Sequence, residues 1–370
     1  MNIEAVLDEL EASGNLRRLP AESPAGVIDL SSNDYLGLGE DIALRESFFA
    51  SHDSKSLLMT SSASRLLAGR QTSYSILEKE LADSYGHNRE ALLFNSGYHA
   101  NTGLVSAIAD KNTLILADRL VHASIIDGIK LSGAPFARFA HNDFGHLRKL
   151  LESKGRDYSN VLIIVESVYS MDGDRADIGQ LTEIKKSHPG SMLYVDEAHA
   201  VGVLGPGGLG ECAAAGVLDQ IDILVGTFGK ALASMGAYAI MSPTLKQFMI
   251  NKARSLIFST ALPPAQIDWS LHVWRHATSA DSARQQLMLL ASQLARIIPG
   301  GEPSHIRPLI VGSSEKALAA SAKLLEGGYK VLPIRTPTVP PGTERLRFSL
   351  SAAIASKSLA GLSSLINSLS

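Results

Sequence analysis

This chain of 370 residues has a single cysteine, no long hydrophobic run and no large excess of charge of either sign. Cys212 is the only cysteine, which excludes an intramolecular disulfide and is typical of a reducing compartment. The longest aliphatic runs, such as residues 161–165, are far shorter than the ~20 residues that span a bilayer. Lys and Arg number 34 against 37 Asp and Glu, so neither nucleic acid nor a membrane surface is expected as a partner.

The amino terminus lacks the basic segment and apolar stretch of a signal or transit peptide, because acids occupy positions 4, 8, 9 and 11. A cytoplasmic protein is therefore expected. A short amphipathic helix is predicted from four apolar residues at helical spacing, Ile3, Val6, Leu7 and Leu10.

Strand-like apolar runs alternate with amphipathic stretches between about residues 75 and 222. This alternation predicts an α/β fold with a mostly parallel sheet covered by helices. Beyond residue 245, mixed strand and helix patterns predict a smaller α+β domain, in which Arg345-Leu346-Arg347-Phe348 alternates like a half-buried strand. The predicted domains are 1–40 as an N-terminal helix and linker, 41–245 as the large domain and 246–370 as the small domain.

Lys230 ends the run Gly226-Thr227-Phe228-Gly229-Lys230 and lies 34 positions after Asp196 (230 − 196 = 34). Both residues follow apolar segments typical of buried parallel strands, and ligands of open α/β sheets bind at the carboxyl ends of such strands. Pyridoxal phosphate (PLP) needs an amine that bonds to it covalently and a carboxylate at its pyridine nitrogen. Most lysines are solvated surface charges. This context nevertheless predicts a PLP site built on Lys230 and Asp196, and no metal site.

The segment Gly205-Pro206-Gly207-Gly208-Leu209-Gly210 matches the G-x-G-x-x-G pattern of dinucleotide sites. That fingerprint belongs at the first strand–helix turn of a βαβ unit, with an acid about 20 residues further on. Here the pattern lies in the middle of the chain, contains Pro206 and is followed after twelve residues (222 − 210 = 12) by Asp222. A glycine-rich loop beside the site is the favoured interpretation.

Other polar residues also follow strands. The turn at Ser96 precedes an apolar helix, so its backbone N–H groups could hold a phosphate, although an ordinary capped turn has the same pattern. His122 and His199 follow strands too, where an imidazole could contact a cofactor ring or serve only the structure. Arg345 and Arg347 face the same side of a strand, and either could bind a carboxylate through two hydrogen bonds. Spacing does not choose between the two arginines.

Five sequence blocks together resemble the α-oxoamine synthases, which are PLP enzymes of fold type I. The resemblance runs from Arg17 to about Ala353, and residues 334–347 are most similar to the branch that makes 8-amino-7-oxononanoate for biotin. The blocks are Ser32-Asn33-Asp34-Tyr35-Leu36-Gly37-Leu38, Glu166-Ser167-Val168-Tyr169-Ser170-Met171-Asp172-Gly173-Asp174, Asp196-Glu197-Ala198-His199, Thr227-Phe228-Gly229-Lys230 and Ser259-Thr260-Ala261-Leu262-Pro263-Pro264.

The resemblance implies a role for each matching residue. PLP would be attached to Lys230, and Asp196 would contact the pyridine nitrogen. His122 would stack on the ring and His199 would reach the phenolic oxygen. The other implied cofactor contacts are Ser96, Gly97, Tyr98 and Thr227 around the phosphate, Ser170 near the phenolic oxygen, and Thr260 at the phosphate of the partner subunit's cofactor. The implied substrate contacts are Asn33 and Arg347 at the amino-acid carboxylate, Glu166 at the reacting centre, Arg17 at the acyl substrate, and Thr338.

The implied activity is decarboxylative condensation of L-alanine with a pimeloyl thioester, in a homodimer whose active site lies at the interface. The carrier, coenzyme A or an acyl-carrier protein, and the acyl chain length stay open. One alternative is another α-oxoamine synthase that joins glycine or serine to a different acyl-CoA, and a second is a non-catalytic scaffold with the same fold. The family's Gly-Ser-Gly-Gly-Ser stretch reads Thr60-Ser61-Ser62-Ala63-Ser64 here, so this loop is expected to be less permissive.

Overall fold

The structure, a computed structural model, describes residues 1–19, 22, 24–67 and 71–369. Residues 20, 21, 23, 68–70 and 370, which fall within the predicted domains, lie outside the described residues. The strands in chain order are β1 (Ile28–Asp29), β2 (Glu90–Phe94), β3 (Thr113–Asp118), β4 (Phe136–Phe139), β5 (Asn160–Glu166), β6 (Ser191–Asp196), β7 (Ile223–Thr227), β8 (Ala237–Met241), β9 (Ile306–Ile310), β10 (Tyr329–Lys330), β11 (Leu332–Ile334) and β12 (Arg345–Ser349).

The α-helices in chain order are α1 (Ile3–Ala12), α2 (Ile42–Ser51), α3 (Thr72–Tyr85), α4 (Gly97–Ile108), α5 (Ala123–Ser132), α6 (Phe144–Lys154), α7 (Ile178–Ser187), α8 (Glu211–Ala214), α9 (Pro243–Lys252), α10 (Arg254–Ile257), α11 (Pro264–Thr278), α12 (Asp281–Ile297), α13 (Ser314–Glu326) and α14 (Leu362–Asn367). Within the described ranges, none of them combines the length and the apolar character that crossing a membrane requires.

Strands β2 to β8 form one sheet in the order β2-β8-β7-β6-β5-β3-β4. Six of these strands run in the same direction, and β8 is antiparallel to its neighbours β7 and β2. Every residue of β3 is buried, so both faces of this strand are covered, as expected for a parallel sheet of an α/β protein. The predicted α/β fold with a mostly parallel sheet is confirmed.

The carboxyl ends of the parallel strands carry several residues that the sequence selected. β5 ends at Glu166, β6 at Asp196 and β7 at Thr227. Helix α4 begins after β2 with Ser96 as its N-cap, and α5 begins after β3 with His122 as its N-cap. Each cap accepts a hydrogen bond from an N–H group of the first helical turn, which fixes where each helix begins.

The chain forms two compact units. The sheet unit comprises Leu36–Tyr169 and Arg175–Arg284, and it contains the seven-stranded sheet. The terminal unit comprises Met1–Tyr35, Ser170–Asp174 and Gln285–Ser370. It contains an antiparallel sheet in the order β11-β12-β9 and the parallel pair β1-β10.

These units differ from the predicted division at residue 245. Helix α9 runs across that position, and residues 246–284 belong to the sheet unit. The physical reason is packing, because α11 lies against α3 and Arg275 of α11 forms an ion pair with Glu80 of α3.

Candidate active site

Lys230 and His199 lie side by side at the ends of neighbouring strands. Lys230 is three residues past the end of β7, and His199 is three residues past the end of β6. The Nζ atom of Lys230 is 2.8 Å from Nε2 of His199. His199 is buried and Lys230 is half-buried. The amine that the sequence selected for covalent attachment therefore has an imidazole as a hydrogen-bond partner.

Asp196 ends β6 and is 4% exposed. Its Oδ2 accepts a hydrogen bond of 2.7 Å from Nδ2 of Asn101, and its Oδ1 accepts one of 2.9 Å from the backbone N–H of Ala198. Glu166 is also buried and is paired with Asp196 in the register of β5 and β6. Two of the predicted residues thus end adjacent strands with their side chains away from water.

The ring of His122 is turned toward helix α5. Its Nδ1 accepts a hydrogen bond of 3.2 Å from the backbone N–H of Ser124 and lies 2.8 Å from the Ser124 hydroxyl. Burial is the main effect on His122 and lowers its pKa below the ordinary 6.5. The charges of Asp196 and Asp127 raise this pKa, and the charge of Lys230 lowers it. The imidazole is therefore neutral at pH 7.

The first turn of α4 lies against the end of β7. A Cβ atom placed on Gly97 would be 3.9 Å from both Cβ and Oγ1 of Thr227. The Thr227 hydroxyl donates to the carbonyl of Gly236 at 3.1 Å and accepts from the N–H of Gly229 at 3.2 Å. Because N–H groups of a first helical turn have no partner within the helix, this turn suits a phosphate.

Ser96 and Tyr98 flank that turn, and both side chains already have partners in the protein. The Ser96 hydroxyl accepts from the backbone N–H of His99 at 3.2 Å and lies 2.8 Å from Nδ1 of the same residue. The Tyr98 hydroxyl donates to Asp127. The backbone of residues 97 and 98 is therefore better placed to receive an anion than these two hydroxyl groups.

Thr260 is fixed by the loop of residues 60–64. It forms a β-bridge with Ser64, and its carbonyl accepts a hydrogen bond of 2.6 Å from Nδ2 of Asn95. Ser62 has φ of +53°, in the left-handed region that glycine adopts most easily. The loop thus keeps a conformation suited to the family's glycine while Ser62 carries a strain of about 1 kcal/mol.

The terminal unit distinguishes the two arginines of β12. Arg345 forms an ion pair with Asp172. Arg347 is 3% exposed and donates from Nε to the carbonyl of Ser170 at 2.6 Å, and from both other nitrogens to Oδ1 of Asn33 at 3.1 Å. Within the described ranges, no carboxylate pairs with Arg347. Asn33 and Ser170, both predicted at the site, therefore contact Arg347, a buried cation without a counter-charge among the described residues.

Arg17 and Thr338 also meet in the terminal unit, although 321 positions separate them in the chain. The guanidinium of Arg17 donates to the Thr338 hydroxyl at 3.0 Å. Both residues were selected by resemblance as contacts of the substrate.

Sequence reasoning missed Glu197, which lies within the block Asp196-Glu197-Ala198-His199. Glu197 is fully buried and accepts hydrogen bonds from the hydroxyl of Ser167 at 2.7 Å and from the N–H groups of Glu211 and Cys212 at 2.9 and 2.7 Å. Burial raises its pKa, and these hydrogen bonds oppose the rise. A Cβ on Gly210 would lie 2.6 Å from Oε2 of Glu197, so the glycines of residues 205–210 let this loop fold around a carboxyl group.

Asn101 was missed as well. A polar residue on the apolar face of helix α4 was the available signal, since Ala100, Leu104 and Val105 on the same helix are all buried. Its contacts with Asp196 and Ser124 depend on β6 and α5, which the sequence of α4 does not reveal.

Residues 25–364 match the family described as aminotransferase class I and II. The chain is 47% identical over 354 residues to the 8-amino-7-oxononanoate synthase of Chlorobaculum parvum, covering 93% of this chain and 89% of that protein. A serine palmitoyltransferase variant of S. paucimobilis, solved with a PLP–myriocin aldimine, has a TM-score of 0.88 at 28% identity, covering 99% of this chain and 96% of that one. The 8-amino-7-oxononanoate synthase of Francisella tularensis has a TM-score of 0.78 at 27% identity, covering 92% and 97%.

The fold and the Lys230 cluster define a PLP enzyme of fold type I. The residues fit PLP, because the sheet unit supplies an amine, a buried carboxylate and a helix N-terminus suited to a phosphate. The chain belongs to the class I and II aminotransferase family and, within it, to the α-oxoamine synthases. It is a PLP-dependent acyltransferase similar to 8-amino-7-oxononanoate synthase.

Proposed function

We propose that this enzyme condenses L-alanine with a pimeloyl thioester to give 8-amino-7-oxononanoate in biotin biosynthesis. The reaction releases carbon dioxide and the free carrier, which is coenzyme A or an acyl-carrier protein. The observation that carries the proposal is the 2.8 Å contact between the Lys230 amine and His199, three residues from the buried Asp196. The 47% identity to a synthase named for this product supports the choice of reaction.

Bound PLP supplies an electron-withdrawing ring that stabilises negative charge on the α-carbon of the amino acid. Lys230 would hold PLP covalently, and its amine, once free, would take the α-proton of alanine as general base. His199 is already hydrogen-bonded to that amine and positions it. His199 would also reach the phenolic oxygen of PLP. Asp196 would contact the pyridine nitrogen and His122 would stack on the ring. Once the carbon–carbon bond has formed and the carboxylate has left, the Lys230 amine would return the proton to the α-carbon.

Arg347 and Asn33 bind the carboxylate of alanine in this proposal. The unpaired charge of Arg347 supports the assignment, since a buried guanidinium gains strongly from a carboxylate that accepts two hydrogen bonds. Glu166 lines the reacting centre. Arg17 and Thr338, joined by their 3.0 Å hydrogen bond, contact the acyl substrate.

A second candidate is another α-oxoamine synthase that uses glycine or serine with a different acyl-CoA. The similarity to a serine palmitoyltransferase, with a TM-score of 0.88, supports this second candidate. Initial rates should be measured for alanine, glycine and serine, each against pimeloyl-CoA, pimeloyl acyl-carrier protein, acetyl-CoA and palmitoyl-CoA. The highest kcat/KM is expected for alanine with one of the pimeloyl thioesters. A higher value for serine or glycine with another thioester would replace the main proposal by the second.

A non-catalytic scaffold with this fold would not need the Lys230 amine. Purified protein that carries PLP on Lys230 should absorb in the near-ultraviolet to visible range, and borohydride should fix the cofactor on one peptide. A labelled peptide without Lys230 would contradict the assignment of the lysine.

We also propose a cytoplasmic homodimer with the active site at its interface, where Thr260 reaches the phosphate of the partner subunit's PLP. Large apolar side chains on segments that pair with or flank Thr260 are exposed, which suits a surface covered by a second copy. The exposed fractions are 75% for Met59, 51% for Leu66, 80% for Leu67 and 70% for Phe258.

Complementation tests this arrangement. Lys230→Ala and Thr260→Trp are each expected to be inactive as homodimers. In a mixed dimer, one site carries both lesions and the other carries neither, because the two residues of a site come from different chains. Mixing and re-association should restore part of the activity. A fully active monomer in sedimentation and assay would contradict the proposal.

A further inference from the structure

A row of buried polar groups lies within the sheet unit and links Asp196 with His122. It consists of Tyr194, Asn101 and Ser124, of which Asn101 is 2% exposed and the other two are fully buried. None of them carries a role in the proposed chemistry. Buried polar groups of this kind need hydrogen-bond partners, and their partners fix how they are oriented.

The side-chain amide of Asn101 has one orientation that satisfies its neighbours. Its Nδ2 lies 2.9 Å from the Ser124 hydroxyl and 2.7 Å from Oδ2 of Asp196, and its Oδ1 accepts from the Tyr194 hydroxyl at 2.6 Å. Both N–H bonds and the carbonyl oxygen of the amide are therefore used. In the flipped orientation, Oδ1 would face the oxygen of Asp196 with no hydrogen between them.

Ser124 passes this constraint on to His122. Since the Ser124 hydroxyl accepts a hydrogen from Asn101, its own hydrogen is available for Nδ1 of His122 at 2.8 Å. The backbone N–H of Ser124 donates to the same Nδ1 at 3.2 Å. An Nδ1 atom that accepts from two donors carries no proton. His122 is therefore the neutral tautomer with its hydrogen on Nε2.

We infer that Asn101 is a positioning residue of this enzyme, whose single amide orients the Asp196 carboxylate and directs the Ser124 hydroxyl, as a second donor, to Nδ1 of His122. The inference rests on the proposed function for the roles of Asp196 and His122 at PLP. One side chain thereby couples the two groups that contact the cofactor ring. An orientation fixed before PLP arrives lowers the cost of ordering these groups on binding.

A purely structural role for Asn101 predicts a different outcome. Helix α4 packs against α5, so an amide buried there could serve only the stability of that contact. Its loss would then lower the thermal midpoint without changing the Nδ1 signal of His122 or the affinity for PLP. Measurements of the ring nitrogens and of cofactor binding separate the two roles, and neither depends on turnover.

Asn101→Leu removes every hydrogen bond of the amide at similar volume. Thr102→Val is the matched control, because Thr102 is the next residue of α4 and makes only a 3.4 Å contact with the carbonyl of Ser124. In the holoenzyme labelled with ¹⁵N-histidine, the His122 signals are assigned by their loss in His122→Gln. Asn101→Leu should shift the Nδ1 signal of His122, because the Ser124 hydroxyl loses the donor that orients it, while the backbone N–H of Ser124 keeps the Nε2–H tautomer. PLP binding should weaken about 10- to 100-fold, as expected for a lost hydrogen bond to a charged group. Thr102→Val should change neither.

Ser124→Ala separates the effect of Asn101 on His122 from its effect on Asp196. This variant also tests the inference if Asn101→Leu does not fold. It cuts the link to His122 while leaving the hydrogen bond from Asn101 to Asp196. The Nδ1 signal of His122 should shift, because this atom loses the hydroxyl donor and keeps only the backbone N–H, and PLP affinity should change less than threefold. Unchanged His122 signals in both variants, or an unchanged PLP affinity in Asn101→Leu, would overturn the inference. Full turnover in Lys230→Ala would instead contradict the proposed function and leave the His122 result standing.

Discussion

The polar groups near Lys230 and those near Arg347 are partnered in different ways. In the sheet unit, Asp196, Asn101 and His122 belong to a chain of hydrogen bonds in which both N–H bonds of the Asn101 amide have an acceptor. In the terminal unit, Arg347 is 3% exposed, and among the residues that the structure describes its hydrogen-bond partners are neutral oxygen atoms. The first arrangement suits a cofactor that stays bound. The second suits an anion that enters and leaves, because a buried cation without a counter-charge gains most from a carboxylate.

Loss of the Lys230 amine should have the largest effect. Lys230→Ala is expected to lower kcat by ~10³-fold or more, since both covalent attachment and the general base disappear together. Circular dichroism should show an unchanged fold. Lys252→Ala, at an exposed position of α9, provides the control and should keep full activity. A kcat within tenfold of the wild type in Lys230→Ala would contradict the assignment.

Substitutions of the two arginines of β12 should have different effects on KM for the amino acid. Arg347→Lys is expected to raise KM for the amino acid about 30-fold or more, because lysine cannot reproduce the paired hydrogen bonds to a carboxylate. Arg345→Lys keeps a cation beside Asp172 and should change KM less than threefold. Steady-state kinetics at saturating thioester measure both values. Equal effects of the two substitutions would remove the distinction drawn from the ion pairs.

For the free energy of unfolding, in contrast to KM, we expect the larger effect from substitution of Arg345. Arg345→Met leaves the carboxylate of Asp172 without its partner, and we expect the free energy of unfolding to fall by about 1–3 kcal/mol. Arg347→Met removes a buried charge that no acid in the described part of the chain compensates, so the free energy of unfolding should stay the same or rise. Urea denaturation of both variants tests this contrast. A larger loss in Arg347→Met would show that the neutral oxygens around Arg347 stabilise it fully.

Acid should weaken the sheet unit through His122. The folded protein holds this pKa below the ordinary 6.5, chiefly through burial, so below pH 6.5 the unfolded chain takes up a proton that the folded chain does not. This contribution to stability is intact above pH 6.5 and is lost as pH falls toward the lowered pKa. Urea denaturation of the cofactor-free protein between pH 7 and 5 measures it. In His122→Gln, the free energy of unfolding should fall less steeply as pH decreases. An identical dependence on pH would contradict the lowered pKa of His122.

The sequence by itself determined the α/β class and the placement of Lys230, Asp196 and His199 after strands of the sheet. Apolar runs such as β5 to β7 are local patterns, and residues that directly follow parallel strands meet at one edge of the sheet. For that reason Lys230, Asp196 and His199 could be selected before any contact was known. The context of Lys230 and Asp196 also predicted PLP, and the blocks of resemblance added the acyltransferase class. The comparisons with known proteins confirm both.

Only the tertiary structure decided which arginine lacks an acid, because Arg345 and Arg347 have the same spacing and the same chemistry. The choice depends on Asp172 and Asn33, and Asn33 lies 314 positions from Arg347 in the chain. The link from Asn101 to Asp196 spans 95 positions and requires α4 to lie against the end of β6. Residues 246–284 joined the sheet unit through packing on α3. Such contacts arise between segments whose own patterns are independent, so no local periodicity records them.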